Sequence, residues 1–276
     1  VILDQFLILV VAVAAALSII MTAAWLIWRN TRNSGWVDAT WTFGLGGLAC
    51  IGALAPTLFS GSTTTRSVLV AVLIAFWSLR LGIHIARRTA HITDDPRYAK
   101  LLRDWGARAS RQMFGLLQKQ AVVSIPLVLS VILAAWNPVS PLRAQDILAV
   151  LILAIAVAGE GIADAQLRRF RTDPANRDRI CDVGLWGWSR HPNYFFEWLG
   201  WLAYPLFAID LGGTYSWGWI ALAGPACMYW LLVHISGIPP LEQHMLDRRG
   251  NAFRAYQART NAFFPAPPKL HMSTAP

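Results

Sequence analysis

The sequence predicts an all-α, polytopic membrane protein: a bundle of about seven transmembrane helices with amphipathic helices on the cytoplasmic side. Three observations lead there. Of 276 residues, 55% are hydrophobic and only 14% charged, against about 25% charged in a soluble domain. Apolar runs of span length recur along the chain. The 14 tryptophans often lie near the ends of those runs, as interfacial anchors do.

The first apolar run is too long for a signal peptide and is read as a true span. The spans are Phe6–Trp28, Val37–Phe59, Val68–Ala86, Phe114–Trp136, Ile147–Ala165, Tyr194–Ile209 and Tyr215–Ile235. Their turns fix an orientation. Arg29, Arg32, Arg87, Arg88, Arg97, Arg168, Arg171, Arg179 and most other cations fall on one side, and only Arg66 and Arg143 lie in the opposite turns. The bias places the N-terminus outside and the tail in the cytoplasm. The same bias accounts for the net charge of +9, which in a soluble protein would suggest nucleic acid. Cys50, Cys181 and Cys227 form no CxxC pair, so neither a disulfide framework nor a zinc site is expected. No repeat and no linker divides the chain. It reads as one integral membrane domain of two halves, 1–136 and 146–265.

Two cytoplasmic stretches carry helical signals. Asp95-Pro96 reads as an N-cap followed by proline in the first turn. Tyr98, Leu101, Leu102 and Trp105 then recur at helical spacing, as in an amphipathic helix on a membrane. After Pro239-Pro240, Leu241, Met245, Leu246, Phe253 and Tyr256 repeat the pattern, with a break expected at Gly250-Asn251. Fraying is expected from Pro265 on. Gly44, Gly46 and Gly47 lie inside a span and read as packing glycines rather than a dinucleotide loop.

The chemistry gathers at Ser189-Arg190-His191-Pro192-Asn193-Tyr194, followed by Glu197. Proline is tolerated in the first turn of a helix, where its missing N–H is not needed. A helix starting at Pro192 puts Asn193, Glu197 and Trp201 on one face. Its first turn offers free N–H groups and a positive dipole end to a phosphate. Ionisable groups inside spans are costly, roughly 2.5–3.5 kcal/mol each on insertion scales, and so have a partner or a task. They are Asp38, Arg80, His84, Glu160, Asp164 and Glu197. For Arg80 the plain reading is an intramembrane salt bridge. His84 reads equally as a proton donor or a packed bundle residue. Asp164 with Arg168 and Arg171 fits either ordinary helix pairing or the head of a charged cofactor. Asp146 and Asp210 read as outer-end residues without a task.

These residues resemble the C-terminal domain of the steroid 5-alpha-reductase superfamily. The similarity lies in Gly184-Leu185-Trp186-Gly187, in the stretch from Ser189 to Glu197, and in Tyr256 to Thr260 leading to Phe263-Phe264-Pro265. Val37-Asp38 with Trp41, Arg80-Leu81-Gly82 with His84, Asp95-Pro96-Arg97-Tyr98, and Ser236-Gly237-Ile238-Pro239 resemble a bacterial branch of unassigned substrate. The resemblance implies a reductase of the bacterial inner membrane, using NADPH to reduce a carbon–carbon double bond conjugated to a carbonyl in a lipid. It implies cofactor contacts from Asp164, Arg168, Arg171, Arg179, Arg190, His191, Asn193, Tyr194, Glu197, His244 and Tyr256. In the steroid enzymes a carboxylate on span two and a tyrosine on span three polarise the carbonyl. Here Asp38 matches the carboxylate, span three has no tyrosine, and His84 falls near its place. Asp38 and His84 are therefore the expected catalytic pair.

Two other readings stay open. A membrane methyltransferase similar to isoprenylcysteine carboxyl methyltransferase shares the Arg-His-Pro-x-Tyr pattern but needs no phosphate site. A non-catalytic lipid-binding protein would tolerate loss of Asn193 and Glu197. The Arg168–Arg179 cluster favours the phosphates of NADPH.

Overall fold

The computed structural model describes residues 3–61, 63–91 and 94–269, without the side chains of 57–60, 96 and 97. The Arg97 side chain and His271 thus lie outside the described residues. The described chain is helical, and six of its helices are long and apolar enough to cross a membrane. The protein is a multi-pass membrane helix bundle. Two compact units divide it: Val1–Ala149 with Tyr204–Cys227, and Val150–Ala203 with Met228–Pro276.

The first unit is built on α1 (Leu3–Thr31), α2 (Gly35–Ser60), α3 (Thr65–Ala90), the short α4 (Pro96–Trp105) and α5 (Ala109–Ala135). Small residues let α2 approach its neighbours closely. A Cβ on Gly46 would overlap Ser78 of α3, and one on Gly44 would overlap Ile20 of α1. Gly47, expected to pack likewise, faces open space. Polar groups join α1 to α5, where Ser18 donates to Gln118 Oε1 at 2.7 Å. At the far end of the unit sit the two cations of the sparse turns. Arg66 Nη2 and Arg143 Nη2 reach the two oxygens of Asp146 at 2.7 and 2.8 Å. Arg143 also donates to the carbonyls of Phe207 and Ile209, both at 2.8 Å. Asp146, in the first turn of α6 (Ala144–Thr172), is therefore the tie for this end of the unit, a task its sequence position did not suggest.

The second unit pairs the rest of α6 with α8 (Pro192–Trp201), preceded by the single turn α7 (Leu185–Trp188). A Cβ on Gly159 would overlap the Phe196 ring, and one on Gly200 would lie 3.4 Å from the Ala156 and Leu153 side chains, so α6 and α8 pack closely. The sixth expected span, Tyr194–Ile209, does not form as one helix. α8 stops at Trp201 and α9 (Ala203–Ala208) follows a tight turn at Leu202. Pro205 explains the break: it has no N–H for the Trp201 carbonyl, and its ring crowds that turn. The last apolar run opens as a 3₁₀ segment (Ser216–Leu222), continues as α10 (Ala223–Trp230) and closes in a π turn (Leu231–Ile235). Beyond that run come α11 (Ile238–Arg249) and α12 (Asn251–Arg259), separated as expected at Gly250, whose φ is +49°. The tail does not fray at Pro265. Ala266 N–H donates to the Trp188 carbonyl at 3.0 Å, and Lys269 N–H to that of Arg259 at 2.9 Å.

Candidate functional site

Pro192 divides the key stretch into two unlike halves. Before it, the side chains of Ser189, Arg190 and His191 are bonded within the protein. Ser189 is fully buried, and its hydroxyl donates to the Phe263 carbonyl at 2.8 Å and accepts from His191 N–H at 3.1 Å. Arg190 forms a two-pronged pair with Glu242 of α11, Nε at 2.7 Å and Nη2 at 3.1 Å. Its Nη1 donates to the carbonyls of Gln257 and Thr260. His191 Nε2 lies 3.1 Å from Glu242, and Gln257 Nε2 donates to the same carboxylate at 2.7 Å. The Tyr194 ring stacks on His191 at 5.6 Å. Tyr256 donates its hydroxyl to the Trp186 carbonyl, and Arg259 pairs with Asp182. These bonds seat α11, α12 and the tail on the Trp186–His191 segment.

The charges in this clamp follow from its wiring. Burial pushes the Glu242 carboxyl up, but hydrogen bonds from His191, Arg190 and Gln257, together with the Arg190 charge, bring it down to about 2. Burial lowers His191, outweighing the pull of Glu242. His191 is therefore neutral at pH 7. A carboxylate only accepts, so the ring carries its proton on Nε2.

After Pro192 the pattern changes. Proline opens α8 as expected, and Asn193, Glu197 and Trp201 share its face. Trp201 Nε1 donates to Glu197 Oε1 at 2.9 Å. Asn193 Oδ1 is buried and meets no donor among the described residues. An orphaned buried carbonyl is costly, about 1–3 kcal/mol, and such groups in native proteins call for an explanation. On α6, Glu160 is buried, Asp164 half-buried, and Arg168 and Arg171 exposed near the helix end. A shallow groove of about 360 Å³ runs between Arg169, Phe170, Asn176 and Arg179, with Gln166 as one wall. Gly184, at φ +59°, passes so close to Gln166 that a Cβ would lie 2.6 Å from its amide. His244 is exposed on α11.

In the first unit, Asp38 stands in the first turn of α2. Tyr98 of α4, almost fully buried, donates its hydroxyl to Asp38 Oδ1 at 3.3 Å. Gln120 of α5 donates Nε2 to the Tyr98 oxygen at 3.4 Å, and its own Oε1 is buried without a donor among the described residues. His84 is half-buried on α3. Sequence reasoning missed Tyr98 and Gln120. Tyr98 was counted on the apolar face of its helix, although it closes the Asp95–Tyr98 hallmark. The contact joins that hallmark to Val37-Asp38, and the loop bonds help: Asp94 Oδ1 accepts from the N–H groups of Ser34 and Asp95, both at 2.9 Å.

Comparison with known proteins gives three findings. A family described as "Protein of unknown function (DUF1295)" matches residues 24–260. An uncharacterized protein of Schizosaccharomyces pombe is 34% identical over 102 residues, 35% of this chain and 27% of that protein. The matched region thus spans little more than a quarter of that relative. No solved structure matches the chain.

Proposed function

The chain belongs to the DUF1295 family, and from that premise we propose that it is an NADPH-dependent membrane reductase of a lipid carbon–carbon double bond conjugated to a carbonyl. The enzyme works in a bacterial inner membrane with its Arg-rich turns in the cytoplasm. The observation that carries the reading is the buried Asn193 Oδ1. A carboxamide NH₂, such as that of nicotinamide, is the donor such an atom lacks. The surroundings fit the rest of a dinucleotide. α8 offers first-turn N–H groups, and Arg168, Arg171, Arg169 and Arg179 supply guanidinium groups for phosphates. Glu197, held by Trp201, is one helical turn from Asn193 and fixes the orientation of the face. Arg190, His191 and Tyr256 support this face from within the clamp.

When bound, the dinucleotide supplies the hydride. The chain's own task is to hold it in place and to stabilise the negative charge that develops on the substrate's carbonyl oxygen. Tyr98, aligned by Asp38 and Gln120, is the donor for that oxygen, and His84 is a second proton source. The α-carbon then takes a proton, which completes the addition of two hydrogens across the double bond.

The test is mass spectrometry of the protein purified in mild detergent, paired with NADPH oxidation in the presence of membrane lipid extract. The reading expects a bound dinucleotide in the native protein and its loss in Asn193→Ala. Asp38→Asn and Tyr98→Phe should keep the dinucleotide and lose turnover. Co-purified S-adenosylhomocysteine would overturn the reading in favour of methyl transfer.

A further inference from the structure

The first unit holds a cavity of about 590 Å³ at the end that carries Arg66 and Arg143. Its walls are Pro56 of α2, Thr64 and Ser67 at the start of α3, Ala135 to Pro138 after α5, and Thr214 to Trp217. Asp38 belongs to the opposite end of α2. The 18 helical steps from it to Pro56 span about 27 Å. The cavity is thus separate from the Asp38–Tyr98–Gln120 set.

Most of the buried polar groups on its walls are committed to the protein. Thr64 and Ser67 cap α3 reciprocally. The Asn137 amide donates to the carbonyls of Phe207 and Ala208 at 2.9 and 3.0 Å and accepts from Val139 N–H. The Thr214 hydroxyl donates to Asp210 at 2.7 Å. Trp136 Nε1 donates to the Gly52 carbonyl at 2.9 Å, which fixes that ring. The Tyr215 hydroxyl is different. Tyr215 is 94% buried, and its oxygen has no partner among the described residues. Trp136 and Trp217 give apolar walls, with Trp217 held against Phe6 at 4.6 Å. Among the described residues, no charged side chain lines the space. The flanking sequence exposes Leu211, Trp219 and Leu222.

We propose that this cavity binds an uncharged lipid, its apolar body between Trp136 and Trp217 and its one hydroxyl or carbonyl on the Tyr215 hydroxyl. Size agrees, since ligand pockets run to about 300–1,000 Å³. Charge decides the class. A carboxylate or phosphate would lie against apolar walls with no counter-ion, a heavy penalty, whereas one neutral hydroxyl satisfies one orphaned hydroxyl.

Photolabelling tests this separately from the reductase reading, whose NADPH binding serves only as a control. The probes are a diazirine-bearing long-chain alcohol and the matching fatty acid at pH 8, applied to the detergent-solubilised full chain. The alcohol should label Ala135–Pro138 and Thr214–Trp217 saturably, and the acid at least tenfold less. Tyr215→Phe should cut that labelling about tenfold. Ser216→Trp, at an exposed wall position, should fill the space and abolish it, with the melting temperature and NADPH binding unchanged in both variants. Equal labelling by alcohol and acid, labelling spread over the exposed faces of α1 and α3, or full labelling of Tyr215→Phe would each overturn the proposal.

Discussion

The residues on the two sides of Pro192 differ in one respect that matters more than their identity. Arg190 and His191 have their described polar bonds inside the protein, on Glu242, Gln257 and Thr260. Asn193, two residues on, holds a buried oxygen with no donor among the described residues. The first half is a finished structural joint; on the second, the proposed function expects a ligand to complete the bonding. Side chains that look equally functional in a motif thus divide by whether their hydrogen bonds are already made. A partnered cation stabilises the fold, whereas an unpartnered amide is the place where the proposed dinucleotide would bond.

Four experiments can break or sharpen that contrast. The largest effect is expected from Glu242→Ala. It strands Arg190, whose side chain is only 10% exposed, and should lower stability by about 3 kcal/mol in detergent unfolding. An unchanged melting temperature would mean the joint bears no load. Acid should act in the same direction. His191 is lowered from 6.5, so its contribution is complete above that value and fades as pH falls below it. Glu242 is lowered from 4.5 to about 2, so its contribution fades across that lower interval. Melting temperature measured from pH 8 to pH 3 should therefore drop in two stages, and Glu242→Gln should remove the lower one. Asn193→Ala should do the reverse of a joint mutation. It should weaken NADPH binding about tenfold or more, a change of about 1.4 kcal/mol, and leave the apo melting temperature unchanged or raised. A large loss of apo stability would place Asn193 on the structural side. The smallest effect is expected from Tyr256→Phe, which deletes one hydrogen bond to the Trp186 carbonyl, about 1 kcal/mol, with dinucleotide affinity kept.

Local features of this arrangement were legible in the sequence. Proline at 192 opened α8, i, i+4 spacing put Glu197 beside Trp201, and Gly250 parted α11 from α12. Each depends on backbone rules that act within a turn or two. The partners were not legible, because they lie far apart in the chain. Glu242 meets Arg190 across 52 residues, and Tyr98 meets Asp38 across 60. No periodicity encodes such meetings. Hydropathy also misjudged the stretch from Tyr194 to Ile209, since an apolar average does not register the single missing N–H of Pro205.

The Thr260 carbonyl that caps Arg190 comes 70 residues later in the chain. At ribosomal speeds of about 5–20 residues per second, those residues take roughly 4–14 s to appear. During that interval the guanidinium has emerged beside apolar helices while its seat does not yet exist. Insertion of the later helices therefore proceeds on an incomplete half-molecule, and a nascent chain stalled short of Thr260 would lack this seat for Arg190.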